Sequence, residues 1–262
     1  MPDAQRGPVH PLTDLSAALG FLTVLPVGRE WSEDHPPRPV PWYPWVGWLL
    51  GAVVLIPLYA HVHYRGGIVG MAALLAAAVI VAMWGALTRL LHWDGVADAF
   101  DGILGGSTPA RRLEIMRDSR VGAFGVTAIT LTVFLQVSAI SVAIERGSLW
   151  VLLAAPVLGR LAASMAAWSL PSARPDGLGN SARRSPGFYG WIVAGAAFGC
   201  LAVLLVLGAS PLSWSITMGA GLLAAVALPR ILARPVGGMT GDLLGATVLL
   251  TELCVLIAGA VT

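Results

Sequence analysis

From Gly67 to Gly102 the chain reads GIVGMAALLAAAVIVAMWGALTRLLHWDGVADAFDG. Its first part, Gly67–Leu91, is apolar apart from Arg89 and is long enough to cross a bilayer, which takes roughly 20 helical residues. Its second part, His92–Gly102, carries Asp94, Asp98 and Asp101 at offsets of four, three and seven. On a helix those offsets stack all three carboxylates on one face. Three unpaired anions on one face repel each other, so the spacing points to a cation among them. A hard divalent ion with oxygen ligands, Mg²⁺ bound together with a substrate phosphate, fits best. Gly95 and Gly102 remove side-chain bulk beside two of the carboxylates and let backbone come close. His92, next to Trp93, reads as an interfacial structural residue more readily than as a ligand or an acid/base. The stretch thus predicts a membrane helix that delivers a phosphoryl-transfer site to the bilayer surface.

Working outward, the same apolar character fills the chain. Of 262 residues, 56% are hydrophobic and 11% charged, with a mean hydropathy of +0.78. A soluble domain has about 25% charged residues, so composition excludes that class. It predicts an all-α polytopic membrane helix bundle forming a single domain over residues 1–262. The expected spans are Tyr43–Ala60, Gly67–Leu91, Gly122–Ile144, Leu149–Leu170, Tyr189–Gly208, Pro211–Leu228 and Asp242–Val261, seven in all. Leu15–Val27 is too short to span and reads as an interfacial or re-entrant helix within an N-terminal segment, 1–42. The opening residues lack the basic-then-apolar layout of a cleaved signal peptide. Cys200 and Cys254 lie in apolar runs and read as small buried hydrophobes.

Every basic residue is arginine, and the arginines are unevenly placed. Arg6, Arg29, Arg38, Arg111, Arg112, Arg117, Arg120, Arg174, Arg183, Arg184, Arg230 and Arg234 fall on one side of the expected topology. Only Arg65 and Arg146 fall on the other. The positive-inside rule then puts the motif-bearing loops in the cytoplasm, with the chain integral to the plasma or inner membrane.

Those loops hold the remaining candidates. Thr108-Pro109 is a helix start, an oxygen cap followed by proline at the first helical position. The short amphipathic helix it opens leads to Arg117, Asp118 and Arg120, read as a fourth metal carboxylate between two phosphate-clamping guanidiniums. In the next loop Arg174, Gly177 and Gly179 combine a cation with turn amides suited to an anion. Thr240 or Asp242 caps the last helix, whose N-terminal amides and dipole favour phosphate. Arg160 and Glu252 sit near mid-span, where charge needs a partner or a polar cavity. They pair with each other, or Arg160 reaches a substrate phosphate.

Together these motifs resemble the cobalamin synthase family of adenosylcobinamide-GDP ribazoletransferases. The resemblance runs through Phe21–Val27, His92–Gly102, Met116-Arg117-Asp118-Ser119-Arg120 with Gly122 and Gly125, Arg174–Gly179 and Gly237–Ala246. Two departures stand out: Trp93 replaces the family's usual leucine, and Thr23-Val24-Leu25-Pro26 lacks the arginine common at its second position. The resemblance implies Mg²⁺-dependent reaction of adenosylcobinamide-GDP with α-ribazole or its 5′-phosphate. The products are adenosylcobalamin or its phosphate, and GMP. It implies metal held by Asp94, Asp98 and Asp101, and a base among Asp98, Asp101 and Asp118, with Asp101 favoured. The partners expected are these small molecules and the lipid bilayer, with no nucleic acid; a homo-oligomer is left open.

Three other readings fit less well. A CDP-alcohol phosphotransferase wants an arginine after the alanine that follows Asp-Gly, and Asp94-Gly95-Val96-Ala97 is followed by Asp98. A UbiA-like prenyltransferase wants a second aspartate-rich motif. A divalent-cation transporter wants carboxylates at mid-membrane in paired broken helices, and Glu252 alone meets that.

Overall fold

The fold follows from where apolar helices can bury small residues and where they must stop. In the computed structural model, residues 11–27, 38–174, 195, 199 and 210–262 are described. They form α1 (Pro11–Leu22), a 3₁₀ turn (Val40–Trp42), α2 (Tyr43–Arg65), α3 (Met71–Leu87), α4 (Leu91–Gly105) and α5 (Pro109–Ile115). These are followed by α6 (Ala123–Glu145), α7 (Val151–Ser169), α8 (Pro211–Ala233) and α9 (Gly241–Val261). The described residues contain no strand; a single bridge joins Ser172 to Met239.

Five of these helices, α2, α6, α7, α8 and α9, are long and apolar enough to cross a membrane alone. The pair α3 and α4 qualifies jointly but bends by 89° between its halves. The chain is therefore a polytopic membrane bundle, as composition predicted. The expected span Tyr189–Gly208 lies outside the described residues. At 12 residues, α1 is too short to cross.

α7 is the axis of the bundle. In its apolar window 89% of residues are buried, against 33–39% in α2, α6 and α8, with α9 at 72%. Alanine and glycine make this possible, because small residues let helix backbones approach closely where no hydrophobic effect separates helix from lipid. Gly51 of α2 faces Leu153, and a Cβ there would lie 2.8 Å from the Leu153 Cα. Gly159 faces α9 in the same way, against the Val248 carbonyl. The outer helices turn large apolar side chains outward, among them Ile56, Phe134 and Leu223.

The expected span Gly67–Leu91 is cut short at the α3–α4 corner. Arg89 and Leu90 have φ of 54° and 57°, a left-handed backbone costly for residues with a Cβ. The corner is closed by the Leu90 amide donating to the Gly85 carbonyl (2.9 Å) and held from outside by the Val24 amide donating to the Leu87 carbonyl (2.8 Å). Arg89 donates to the carbonyls of Gly20 and Phe21 at the end of α1. α4 thereby leaves the crossing to α3 and runs along one end of the bundle. There it meets the first turns of α6 and α9. The opposite end is marked by Glu145 accepting from the Gly70 amide (2.6 Å) and by Ser213 against Thr262 (2.8 Å).

Candidate active site

The three aspartates of α4 share a helix, as their spacing predicts, but the fold gives them different fates. Asp101 is 8% exposed. Its Oδ2 accepts from the Gly122 amide (2.7 Å) and its Oδ1 from the Gly125 amide (2.9 Å). It thus satisfies the free amides at the start of α6, whose positive dipole end suits an anion. A Cβ on either glycine would strike the Asp101 carboxylate, so the fit depends on both being glycine. Asp101, the residue favoured as base, therefore has both its oxygens engaged by amides of α6.

Asp94 and Asp98 face a different neighbour, Asp242 of α9. Backbone contact brings the two helices together: a Cβ on Gly95 would lie 2.6 Å from the Asp242 carbonyl, and Gly245 sits against Leu91, His92 and Gly95. Half-burial, then Asp94, Asp242 and Asp101, push the Asp98 carboxyl up to about 7, with Arg174 opposing. No three Asp, Glu, His or Cys side chains among the described residues converge into a ready-made metal cage. Mg²⁺ seldom needs one, since it takes one or two carboxylates and completes its shell with water and substrate phosphate. A crowded acidic group with one nearby guanidinium fits that kind of binding.

Arg174 supplies that guanidinium. Its Nη2 lies 3.7 Å from Asp242 Oδ2, and its buried Nε and Nη2 make no hydrogen bond. It reaches the cluster because Ala173 and Pro171 exchange backbone hydrogen bonds with Met239 just before α9. Thr240 is the cap of α9, its Oγ1 accepting from the Leu243 amide (3.2 Å) and donating to Asp242 Oδ2 (3.3 Å). Asp242 is therefore released from capping and joins the acidic group. Of the two caps open in the sequence, Thr240 and Asp242, the structure takes Thr240. Gly177 and Gly179 lie outside the described residues.

Asp118 and Arg160 each have a partner of their own. Asp118 stands apart from the α4 carboxylates, on the exposed loop after α5. Arg120 grips it through Nε (3.0 Å) and Nη2 (2.6 Å), and these bonds draw its carboxyl down to about 2. It is not a fourth member of the cluster, and Arg120 is already paired; Arg117 is exposed beside them. Thr108 does cap α5, accepting from the Arg111 amide (3.3 Å). Arg160 is 2% exposed and pairs with Glu252 (2.6 Å), while its Nη2 lies 3.2 Å from His92 Nε2. It therefore resolves to the ion-pair alternative rather than to an open phosphate clamp. Because an arginine nitrogen only donates, His92 Nε2 must accept, which puts the imidazole proton on Nδ1. Rather than lying at the interface, His92 is buried as the third member of a triad with Arg160 and Glu252.

A cavity of about 230 Å³ opens between α1, α2, α4, α7 and α9. Asp94, Gly95, Gly241 and Asp242 border it on the acidic side, and His92 and Arg160 border it at depth. The same His92 and Arg160 also border a void of about 20 Å³ shared with Gln136, room for one water.

The chain matches the CobS family, described as cobalamin-5-phosphate synthase, over residues 14–260. It is 37% identical over 248 residues to the adenosylcobinamide-GDP ribazoletransferase of Pseudomonas entomophila, covering 92% of this chain and 95% of that one. It is 38% identical over 253 residues to the enzyme so named in Syntrophobacter fumaroxidans, with 93% and 96% covered. The Bradyrhizobium diazoefficiens protein of that name is 36% identical over 252 residues, with 95% and 94% covered. No solved structure matches the chain significantly. A match spanning nearly every described helix, joined to relatives of this identity along almost their full length, means that the chain belongs to the CobS family.

Proposed function

We propose that this chain is a Mg²⁺-dependent adenosylcobinamide-GDP ribazoletransferase working at the cytoplasmic face of the plasma membrane. The observation that carries the reading is the crowding of Asp94, Asp98 and Asp242 at one end of the bundle, with Arg174 beside them. That is a charge pattern for a metal–diphosphate, in a chain whose relatives bear this activity in their names.

In the reaction a ribose hydroxyl of α-ribazole attacks the phosphorus next to the cobinamide. A new P–O bond forms, the P–O bond to GMP breaks, and GMP leaves with the electron pair. Asp94 and Asp242 would hold Mg²⁺ together with diphosphate oxygens; the ion, when bound, neutralises charge that develops on the leaving phosphate. Arg174 donates its unpartnered N–H groups to a phosphate oxygen. Asp98, whose carboxyl already holds a proton at higher pH than an ordinary aspartate, takes the proton of the attacking hydroxyl. Asp101 acts by position, fixing α4 to α6 so that Asp98 faces Asp242.

The test is GMP release. Purified protein with Mg²⁺ should release GMP from adenosylcobinamide-GDP only when α-ribazole or its phosphate is present. GMP release without the nucleoside, or turnover of a CDP-alcohol in its place, overturns the reading.

A further inference from the structure

We infer that the cavity between α1, α2, α4, α7 and α9 is the seat of the incoming nucleoside's planar base, with its ribose at the Asp94–Asp242 mouth. This rests on the reading above and names which substrate that cavity takes. Size is the first argument. At about 230 Å³ the cavity lies below the usual range of pockets for drug-sized ligands. It admits a bicyclic base and excludes a corrin ring with its amide arms.

Lining is the second argument. Phe21, Tyr43, Leu244 and Val248 form apolar walls, and the Phe21 and Tyr43 rings stack with centroids 6.2 Å apart. Such walls suit a flat hydrocarbon-edged ring. At depth, His92 Nδ1 and Arg160 Nε are buried without a hydrogen-bond partner among the described residues. The tautomer set by Arg160 makes that imidazole nitrogen an N–H donor, and since His92 lines this cavity as well as the small void, an occupant that brings an acceptor fits it. A benzimidazole bound through one nitrogen offers one, its second ring nitrogen. Guanine also offers acceptors, but it brings an N–H and an amino group whose hydrogens need acceptors of their own. Glu252, whose Oε1 accepts from Arg160, does not line this cavity.

Register is the third argument. Asp98 lies one helical turn beyond Asp94, roughly 6 Å along α4. A base seated in the cavity and a ribose across its mouth would bring the ribose hydroxyls to that turn. The nucleophile would then meet Asp98, and the diphosphate would approach from outside.

The experiment uses the full chain in detergent and measures KM for each substrate separately by GMP release. Phe21→Ala removes a partly exposed wall and should not disturb folding; Val248→Phe fills the interior and is checked by its melting temperature. Each should raise KM for α-ribazole by about tenfold or more while KM for adenosylcobinamide-GDP stays within about twofold. The indole analogue of α-ribazole, which carries C–H in place of the acceptor nitrogen, should bind the wild type about tenfold more weakly. A shift confined to adenosylcobinamide-GDP would seat guanine there and overturn the inference. So would an unmoved α-ribazole KM in Phe21→Ala, or an indole analogue that binds as well as the natural nucleoside. Wild-type protein that releases no GMP at all would instead overturn the enzyme reading, a distinguishable failure.

Discussion

Asp98 and Asp101 are three residues apart on one helix and have opposite chemistry. Asp98 sits among carboxylates, so its charged form is disfavoured in the folded protein. Its raised carboxyl contributes stability at low pH that is lost as pH rises from the ordinary aspartate range through about 7. Asp98→Asn should therefore melt above wild type at pH 8 without metal, with the advantage shrinking toward pH 4, and should release no GMP. Millimolar Mg²⁺ should raise the wild-type melting temperature more at pH 8 than at pH 6, because the ion relieves the repulsion the proton no longer does. Asp101 is different: its carboxylate satisfies two helix-start amides in a buried place. Asp101→Ala should cost about 1–3 kcal/mol, seen as a lower melting temperature at neutral pH. Asp118→Asn, on the exposed loop, should leave both stability and GMP release close to wild type. If Asp118→Asn abolished turnover while Asp98→Asn did not, the two residues' roles would have to be exchanged.

At the scale of elements, the site is a product of two close approaches, α4 on α9 and α4 on α6. Both were partly legible beforehand. The offsets of four and three put Asp94, Asp98 and Asp101 on one helical face, and Thr108-Pro109 announced the start of α5. What local periodicity could not carry was which partner each carboxylate meets. Asp101 finds amides 21 and 24 residues away, and Arg160 finds Glu252 at a separation of 92. Nor did the apolar run betray its own break. Gly67–Leu91 reads as one continuous span, whereas Arg89 and Leu90 turn left-handed because α1 and the segment after it hold that corner from outside. The approach of α4 to α9 can be tested directly. Gly95→Val would drive a side chain into the Asp242 carbonyl, separating Asp94 and Asp98 from Asp242. The loss expected is about 1–3 kcal/mol of stability, with GMP release falling further than stability does. A Gly95→Val protein with full activity would show that Asp242 takes no part in the site.

For the whole molecule, the ends of the bundle differ in charge as well as chemistry. The end that carries α4 also carries Arg38, Arg112, Arg174, Arg230 and Arg234, near the start of α2, on α5, and at the ends of α7 and α8. The far end has Arg65 and Arg146. Arginine in short loops is retained on the cytoplasmic side during insertion, so the acidic site should face the cytoplasm, where a nucleotide-linked substrate and Mg²⁺ are both at hand. A cysteine scan decides the matter. In a background with Cys200 and Cys254 changed to alanine, Ser119→Cys at the exposed loop of the site end should react with a membrane-impermeant thiol reagent in inside-out vesicles and stay silent in intact cells. Gly67→Cys, in the open turn between α2 and α3, should show the reverse. Labelling of Ser119→Cys from outside intact cells would turn the molecule over in the bilayer and place the diphosphate on the wrong side of the membrane for this chemistry.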